Sequence, residues 1–208
     1  MEKNIGILGA GGQSDEAESY YDKGEVLFRA VDDIYVTDDE KVTSIALAAS
    51  EYGDTPVVAA VGAPALKVEL IDRWAGRKYE TIISKSAYID ESSSVGEGSI
   101  VAPGSIITTN VKIGKHVLVN VAATISHDTV IGDYSTISPG AHIGGRVEIG
   151  EGVFIGIGVV VMNDVKISDG VVVGAGASVI NNIEQENAVA VGVPARTIRV
   201  NKGWLREI

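Results

Sequence analysis

The chain has three histidines, His116, His127 and His142, the side-chain type suited to proton transfer near neutral pH. One of them, His127, is followed directly by a carboxylate, Asp128. An imidazole so placed can take a proton from an attacking amine or hydroxyl, while the acid orients the ring and steadies its protonated form. The bland reading is a solvent-facing bystander at a corner. The spacings of eleven and fifteen residues put the three histidines at different angles around any regular coil. A three-ligand zinc site needs convergence within a few ångströms, so no metal is expected. There are no cysteines, which excludes a disulfide framework, a thiolate metal site and a cysteine nucleophile.

A second candidate lies near the start. Asn4 to Leu8 reads as a buried strand, followed by Gly9-Ala10-Gly11-Gly12 and a helical stretch, Asp15 to Tyr21. Glycines let a backbone approach phosphate, and a helix N-terminus favours anions. A second strand, Val26 to Val31, ends at Asp32-Asp33, about where an acidic residue can bond ribose hydroxyls. Ser14 stands where the full dinucleotide fingerprint has its third glycine. The alternative is a tight turn beside a solvated acidic pair. Pro56 to Val61 reads as another strand, and Pro64 to Trp74 as an amphipathic helix with Leu66, Leu70, Ile71 and Trp74 on one face. Residues 1–80 then form a small α/β domain, Rossmann-like but too short for a full nicotinamide-binding domain.

What must position His127 is the stretch Ile83 to Val179. Every sixth residue there is a β-branched aliphatic, for example Ile113, Val119, Ile125, Ile131, Ile137 and Ile143. Four places after each, a small or apolar residue recurs, as at Ser99, Ala123 and Val147. A helix needs a period near 3.6 and a lone strand a period of two. A period of six fits a short strand and a turn, with three faces closing each coil. The aliphatics point inward and stack like over like, and glycine permits the corners. Stability comes from stacking, since no coil buries its core alone. Eighteen residues per coil place Gly145 above His127 and Arg146 above Asp128.

This sixfold run resembles the hexapeptide-repeat acyltransferases, which fold as left-handed parallel β-helices. The left hand comes from the resemblance, since general topology rules favour right-handed crossovers. With the α/β domain in front, the chain is similar to the branch that modifies bacterial sugars: N-acetyltransferases of nucleotide-linked 4-amino sugars and sialic acid O-acetyltransferases. The segment Asn120 to Gly132 matches that branch's Asn-x-x-x-x-Ile-x-His-(Asp/Glu)-x-x-Ile-Gly pattern. The resemblance implies His127 as general base, Asp128 as its support and the Gly145 amide as donor to the thioester oxygen. It implies that Gly9, Gly11, Gly12, Asp32 and Asp33 hold the sugar nucleotide; Gln13 stands where many members have histidine. His142 would contact the acetyl group or a neighbouring subunit, or lie idle on the surface, and His116 is a bystander. Gly192-Val193-Pro194-Ala195-Arg196 matches the family's cap, with Arg196 near the phosphates of coenzyme A.

The implied fold class is mixed: a small N-terminal α/β domain, 1–80, then a left-handed parallel β-helix acetyltransferase domain with a C-terminal cap, 81–208. The implied activity is acetyl-CoA-dependent N-acetylation of a UDP- or dTDP-4-amino-4,6-dideoxy sugar in bacterial glycan biosynthesis. It would proceed by direct transfer, in a homotrimer with active sites between subunits. The rivals are an O-acetyltransferase acting on sialic acid or another glycan sugar, and a catalytically silent β-helix used for binding or assembly. A net charge of −11 argues against general nucleic-acid binding. No signal peptide or membrane span is expected, which makes the cytoplasm the default location.

Overall fold

The computed structural model describes residues 3–207. Its first part is a four-stranded parallel sheet of β1 (Ile5–Leu8), β2 (Val26–Val31), β3 (Val42–Ser44) and β4 (Val57–Ala59), in the order β3-β2-β1-β4. Three helices connect and flank it: α1 (Gly12–Tyr20), α2 (Ile45–Tyr52) and α3 (Pro64–Arg73). The strand and helix expectations fall within a few residues of β1, α1, β2, β4 and α3. Elements β3 and α2 were not foreseen. A three-residue strand carries too short a pattern to show, and α2 announces itself mainly by Ser44, whose hydroxyl caps the Leu47 amide at 3.2 Å.

From Ile82-Ile83 onward the chain winds as a parallel β-helix. Two-residue strands repeat every six residues, and each pairs in parallel with the strand eighteen residues away, as Thr124↔His142 and Ile125↔Ile143 do. Three sheets result. Face one stacks Ile82-Ile83 to Val172-Val173, face two Tyr88-Ile89 to Ser178-Val179, and face three Ser94-Val95 to Lys166-Ile167. The ladder is buried from Val101 to Val179. The expectation of inward burial fails in the first coil, where Ile83 is exposed and Ile89 and Val95 are half-buried, because no coil lies beneath them.

The corners obey two constraints. Every sixth corner residue takes the left-handed backbone, including Asn110, Asp128, Arg146 and Asp164. The buried corner hydroxyls of Ser99, Thr129 and Ser135 each donate to a carbonyl and accept a backbone amide, which removes the cost of burying them.

The α/β unit packs on face one. Ile5, Ile7, Ala17, Val26, Val58 and Ala60 share a core with Ile82, Ile100 and Leu118. Lys67 of α3 is also driven into this seam, 1% exposed. Its Nζ donates to Tyr134 O, Ser135 O and Thr136 Oγ1 at 3.2 to 3.3 Å, and burial lowers its pKa to about 7.

The chain's end forms a cap, which carries the Gly192–Arg196 motif, and a strap, in residues the sequence left unassigned. Ala188–Val191 pairs with Val172-Val173, and Arg196–Val200 returns antiparallel to it. Beyond, Trp204 occupies the space over Gly152 and Gly170, where an added Cβ would come within 2.2 and 2.4 Å of its ring. Leu205 O then accepts the Ala65 amide at the start of α3 (3.0 Å), and Arg206 pairs with Glu69 at 2.8 Å.

Candidate active site

His127 lies on the edge where face two turns into face three, between the strands Thr124-Ile125 and Val130-Ile131. Its side chain is 45% exposed, and Nδ1 meets Asp128 Oδ2 at 2.8 Å. The left-handed backbone of Asp128 (φ 61°) turns the carboxylate back toward the ring. The other oxygen, Oδ1, accepts Asn110 Nδ2 from the coil below at 3.2 Å. The bond from His127, then that from Asn110, hold the Asp128 carboxyl below the usual carboxylate range. With Nδ1 engaged, Nε2 is the nitrogen left for proton transfer.

Gly145 is one coil above, as the count of eighteen requires. A Cβ there would stand 2.6 Å from His127 Nε2, so the ring occupies volume that only glycine leaves free. The Gly145 amide donates to Asn163 Oδ1, one further coil up, at 3.0 Å. An oxygen acceptor therefore already sits at that amide. Asn163 carried no signal in the sequence, since its relation to Gly145 exists only across coils.

The other histidines lie elsewhere. His142 points outward from the middle of face two, with Nδ1 2.9 Å from Thr124 Oγ1. His116 is buried against Tyr79 and Tyr134 on the edge between faces three and one, with ring centroids at 4.6 and 5.4 Å. It plays no part at the His127 edge but fills the interior of the seam. Among the described residues, no three histidine or carboxylate side chains gather as a metal would require. No helix there is long and apolar enough to cross a membrane.

The glycine turn opens on a cavity of about 540 Å³ lined by Gly9, Gly11, Arg29, Asp32, Tyr35 and Leu70, among others. Gly11 caps α1, Gly12 begins it, and a Cβ on either would meet nothing within 4 Å, so the cradle is open. The buried Oδ1 of Asp32 is ion-paired with Arg73 Nη1. Asp33 sits exposed in a 3-10 turn and does not line the cavity. Arg29, not singled out from the sequence, does. Asp15 and Glu18 hold its guanidinium at 2.5 Å each, and its buried Nε has no partner.

Gln13 faces the β-helix instead. Its Oε1 accepts Asn120 Nδ2 at 3.1 Å. The pair stands in a cleft of about 260 Å³ where faces one and two meet, with Ser138, Pro139, Phe154 and Ile157. Arg196 lies exposed in the cap, where Nη1 donates to Ala195 O.

These groups form two clusters within one chain. The glycine cavity and the Gln13 cleft lie on the side of face one, while His127, Asp128 and Gly145 line the edge opposite that face. Face two between them is open and carries exposed apolar groups: Tyr88, Ile106 and Val160 project from it beside Thr124 and His142, flanked by Val121 and Ile157 on one edge and Met162 and Ile180 on the other. Patches of that kind mark interaction surfaces.

Residues 146–181 match the family model described as bacterial transferase hexapeptide (six repeats). No curated protein matches the chain. Several solved structures share its whole architecture. The acetyltransferase domain of PglB from Neisseria gonorrhoeae FA1090 is 25% identical with a TM-score of 0.84, the match covering 95% of this chain and 100% of that one. WeeI from Acinetobacter baumannii AYE is 28% identical, also at 0.84, with 94% and 100% covered. A mutant perosamine N-acetyltransferase from Caulobacter crescentus, solved with CoA and GDP-perosamine, is 26% identical at 0.86, with 93% and 96% covered. The fold is thus the left-handed β-helix of these hexapeptide-repeat acetyltransferases, preceded by the same kind of small α/β unit.

Proposed function

We propose that this hexapeptide-repeat chain transfers the acetyl group of acetyl-CoA to the amine of a nucleotide-linked amino sugar, acting in the cytoplasm on the path to a bacterial glycan. The observation that carries the reading is the His127–Asp128 pair. Its imidazole is tied through Nδ1 and free at Nε2, beside a glycine amide that already accommodates an oxygen acceptor. The fold it sits on holds CoA and GDP-perosamine in a solved relative.

His127 Nε2 takes the proton as the amine nitrogen attacks the thioester carbon. The carbonyl oxygen becomes an oxyanion. To receive it, the Gly145 amide exchanges its bond with Asn163 for one to that oxygen, a contact of the kind that supplies roughly 10²- to 10³-fold in rate. Collapse breaks the carbon–sulfur bond, and the proton on His127 passes to the departing thiolate. Asp128 holds the ring so that Nε2 faces the reaction. The α/β unit of residues 1–80 binds the sugar nucleotide, with the diphosphate at Gly9, Gly11 and Gly12 and a ribose hydroxyl at the Asp32 carboxylate.

The separation of the two clusters points to an assembly. A homotrimer packed through face two brings the His127 edge of one chain to the neighbour's face-one side, where Gln13 and Asn120 stand. The acceptor sugar then lies between subunits. Acetyl-CoA runs along the His127 edge toward the cap, with Arg196 as a phosphate contact and His142 within the subunit interface.

The test is thiol release from acetyl-CoA with a panel of UDP-, dTDP- and GDP-linked amino sugars and, in parallel, free sialic acids. Acetylation of an amino sugar, lost on His127→Ala with the oligomer intact, is the expected result. Acetylation of sialic acid hydroxyls alone, or an unchanged rate in the variant, would overturn it.

A further inference from the structure

We propose that Asp164 is a positioning residue for the base: it holds Arg146 away from Asp128, so that Asp128 stays on His127. The inference rests on the reading of His127 as the base. Asn110, Asp128, Arg146 and Asp164 occupy the same left-handed corner position in four successive coils, with φ of 57°, 61°, 56° and 64°. Coils are stacked about 4.8 Å apart. The Arg146 side chain therefore has one carboxylate directly below it and another directly above.

It takes the upper one. Nε meets Asp164 Oδ1 at 2.6 Å and Nη2 meets Oδ2 at 2.9 Å, a two-pronged pairing. The lower carboxylate is committed elsewhere, Oδ2 to His127 Nδ1 and Oδ1 to Asn110 Nδ2. A guanidinium–carboxylate fork is stronger than a single imidazole contact. If Asp164 did not engage Arg146, the fork would form on Asp128 instead. The imidazole would lose the acceptor that fixes its tautomer, and a cation would stand beside the place where the ring must become positive. The charged groups along this edge are Asp90 and Glu91 in the first coil and Asp128, Arg146 and Asp164 around His127; Asn110 and Asn163 are neutral. Arg146 and Asp164 are both at least half exposed, so their pairing contributes little to stability and its role is better sought in orientation.

The experiment compares wild type, Asp164→Asn, Arg146→Ala and the double variant, with His127→Ala as control. Asparagine tolerates the left-handed backbone, so Asp164→Asn keeps the corner. Its kcat should fall about tenfold, a fraction of the roughly 10²- to 10⁴-fold that a positioned base supplies. Adding Arg146→Ala should return kcat to within about twofold of wild type, because the competing fork is gone. Independently of any substrate, ¹⁵N NMR of the His127 ring should show Nδ1–H as the dominant tautomer in wild type and in the double variant. In Asp164→Asn it should show a mixture. A wild-type kcat and tautomer in Asp164→Asn, or a double variant as slow as the single one, would overturn the proposal. A His127→Ala enzyme at full rate would instead remove the base assignment, a distinguishable failure.

Discussion

The imidazole of His127 fills the space that a side chain on Gly145 would need, one coil above it on the same edge. This glycine's φ lies outside the left-handed region, so alanine is allowed by the backbone and excluded by the ring. Gly145→Ala should therefore push the imidazole off Asp128 while leaving the coil intact. Turnover should fall by roughly 10²-fold or more, the contribution of a placed base, at an almost unchanged melting temperature. Steady-state kinetics beside a thermal melt checks both halves.

Asp32 lines the cavity beside the glycine turn, its carboxylate ion-paired with Arg73. Asp32→Asn keeps the shape and removes the charge that accepts a ribose hydroxyl. The KM for the sugar nucleotide should rise about tenfold, equivalent to about 1.4 kcal/mol. The kcat and the KM for acetyl-CoA should not move, since the reacting atoms lie at the far edge. A fall in kcat without a change in KM would place Asp32 outside the binding site.

His116 sets a pH dependence of stability rather than of activity. Burial first, and the charge of Lys67 second, lower its pKa to about 4. The unfolded chain carries an ordinary histidine near 6.5. Between those values the unfolded state binds the proton and the folded state does not. The contribution of His116 is therefore complete above about pH 6.5 and declines as the pH falls toward 4, by at most about 1.4 kcal/mol per pH unit. The buried Nδ1 has no hydrogen-bond partner, so phenylalanine can replace the ring. His116→Phe should flatten this part of the profile in denaturant titrations at pH 4.5 and 7, with kcat unaffected.

Trp204 plugs the corner over Gly152 and Gly170 and stands 6.2 Å from the Tyr134 ring, centroid to centroid. Trp204→Ala should destabilise the fold by about 2 kcal/mol, less than for a fully buried aromatic. It should also loosen the strap over α3, so that limited proteolysis cuts the tail earlier than in wild type. Unchanged protection would show that Leu205 and Arg206 hold the strap without it.

What the sequence determined by itself was the solenoid and its phase. A period of six with a β-branched residue at each step admits one way of burying those side chains. Once eighteen residues make a coil, the vertical neighbours of His127 follow by counting, and the pair with Asp128 was already adjacent in the chain. What only the tertiary structure decided were the contacts that no period encodes. Among these are Asn163 on the Gly145 amide, Arg29 in the glycine cavity, Lys67 in the seam, Trp204 on two corners, and the turning of Gln13 toward Asn120 rather than toward the glycine turn. Each depends on a side chain's direction and on a partner far along the chain. Local pattern fixes which face a residue is on, but not which of several polar neighbours it will choose.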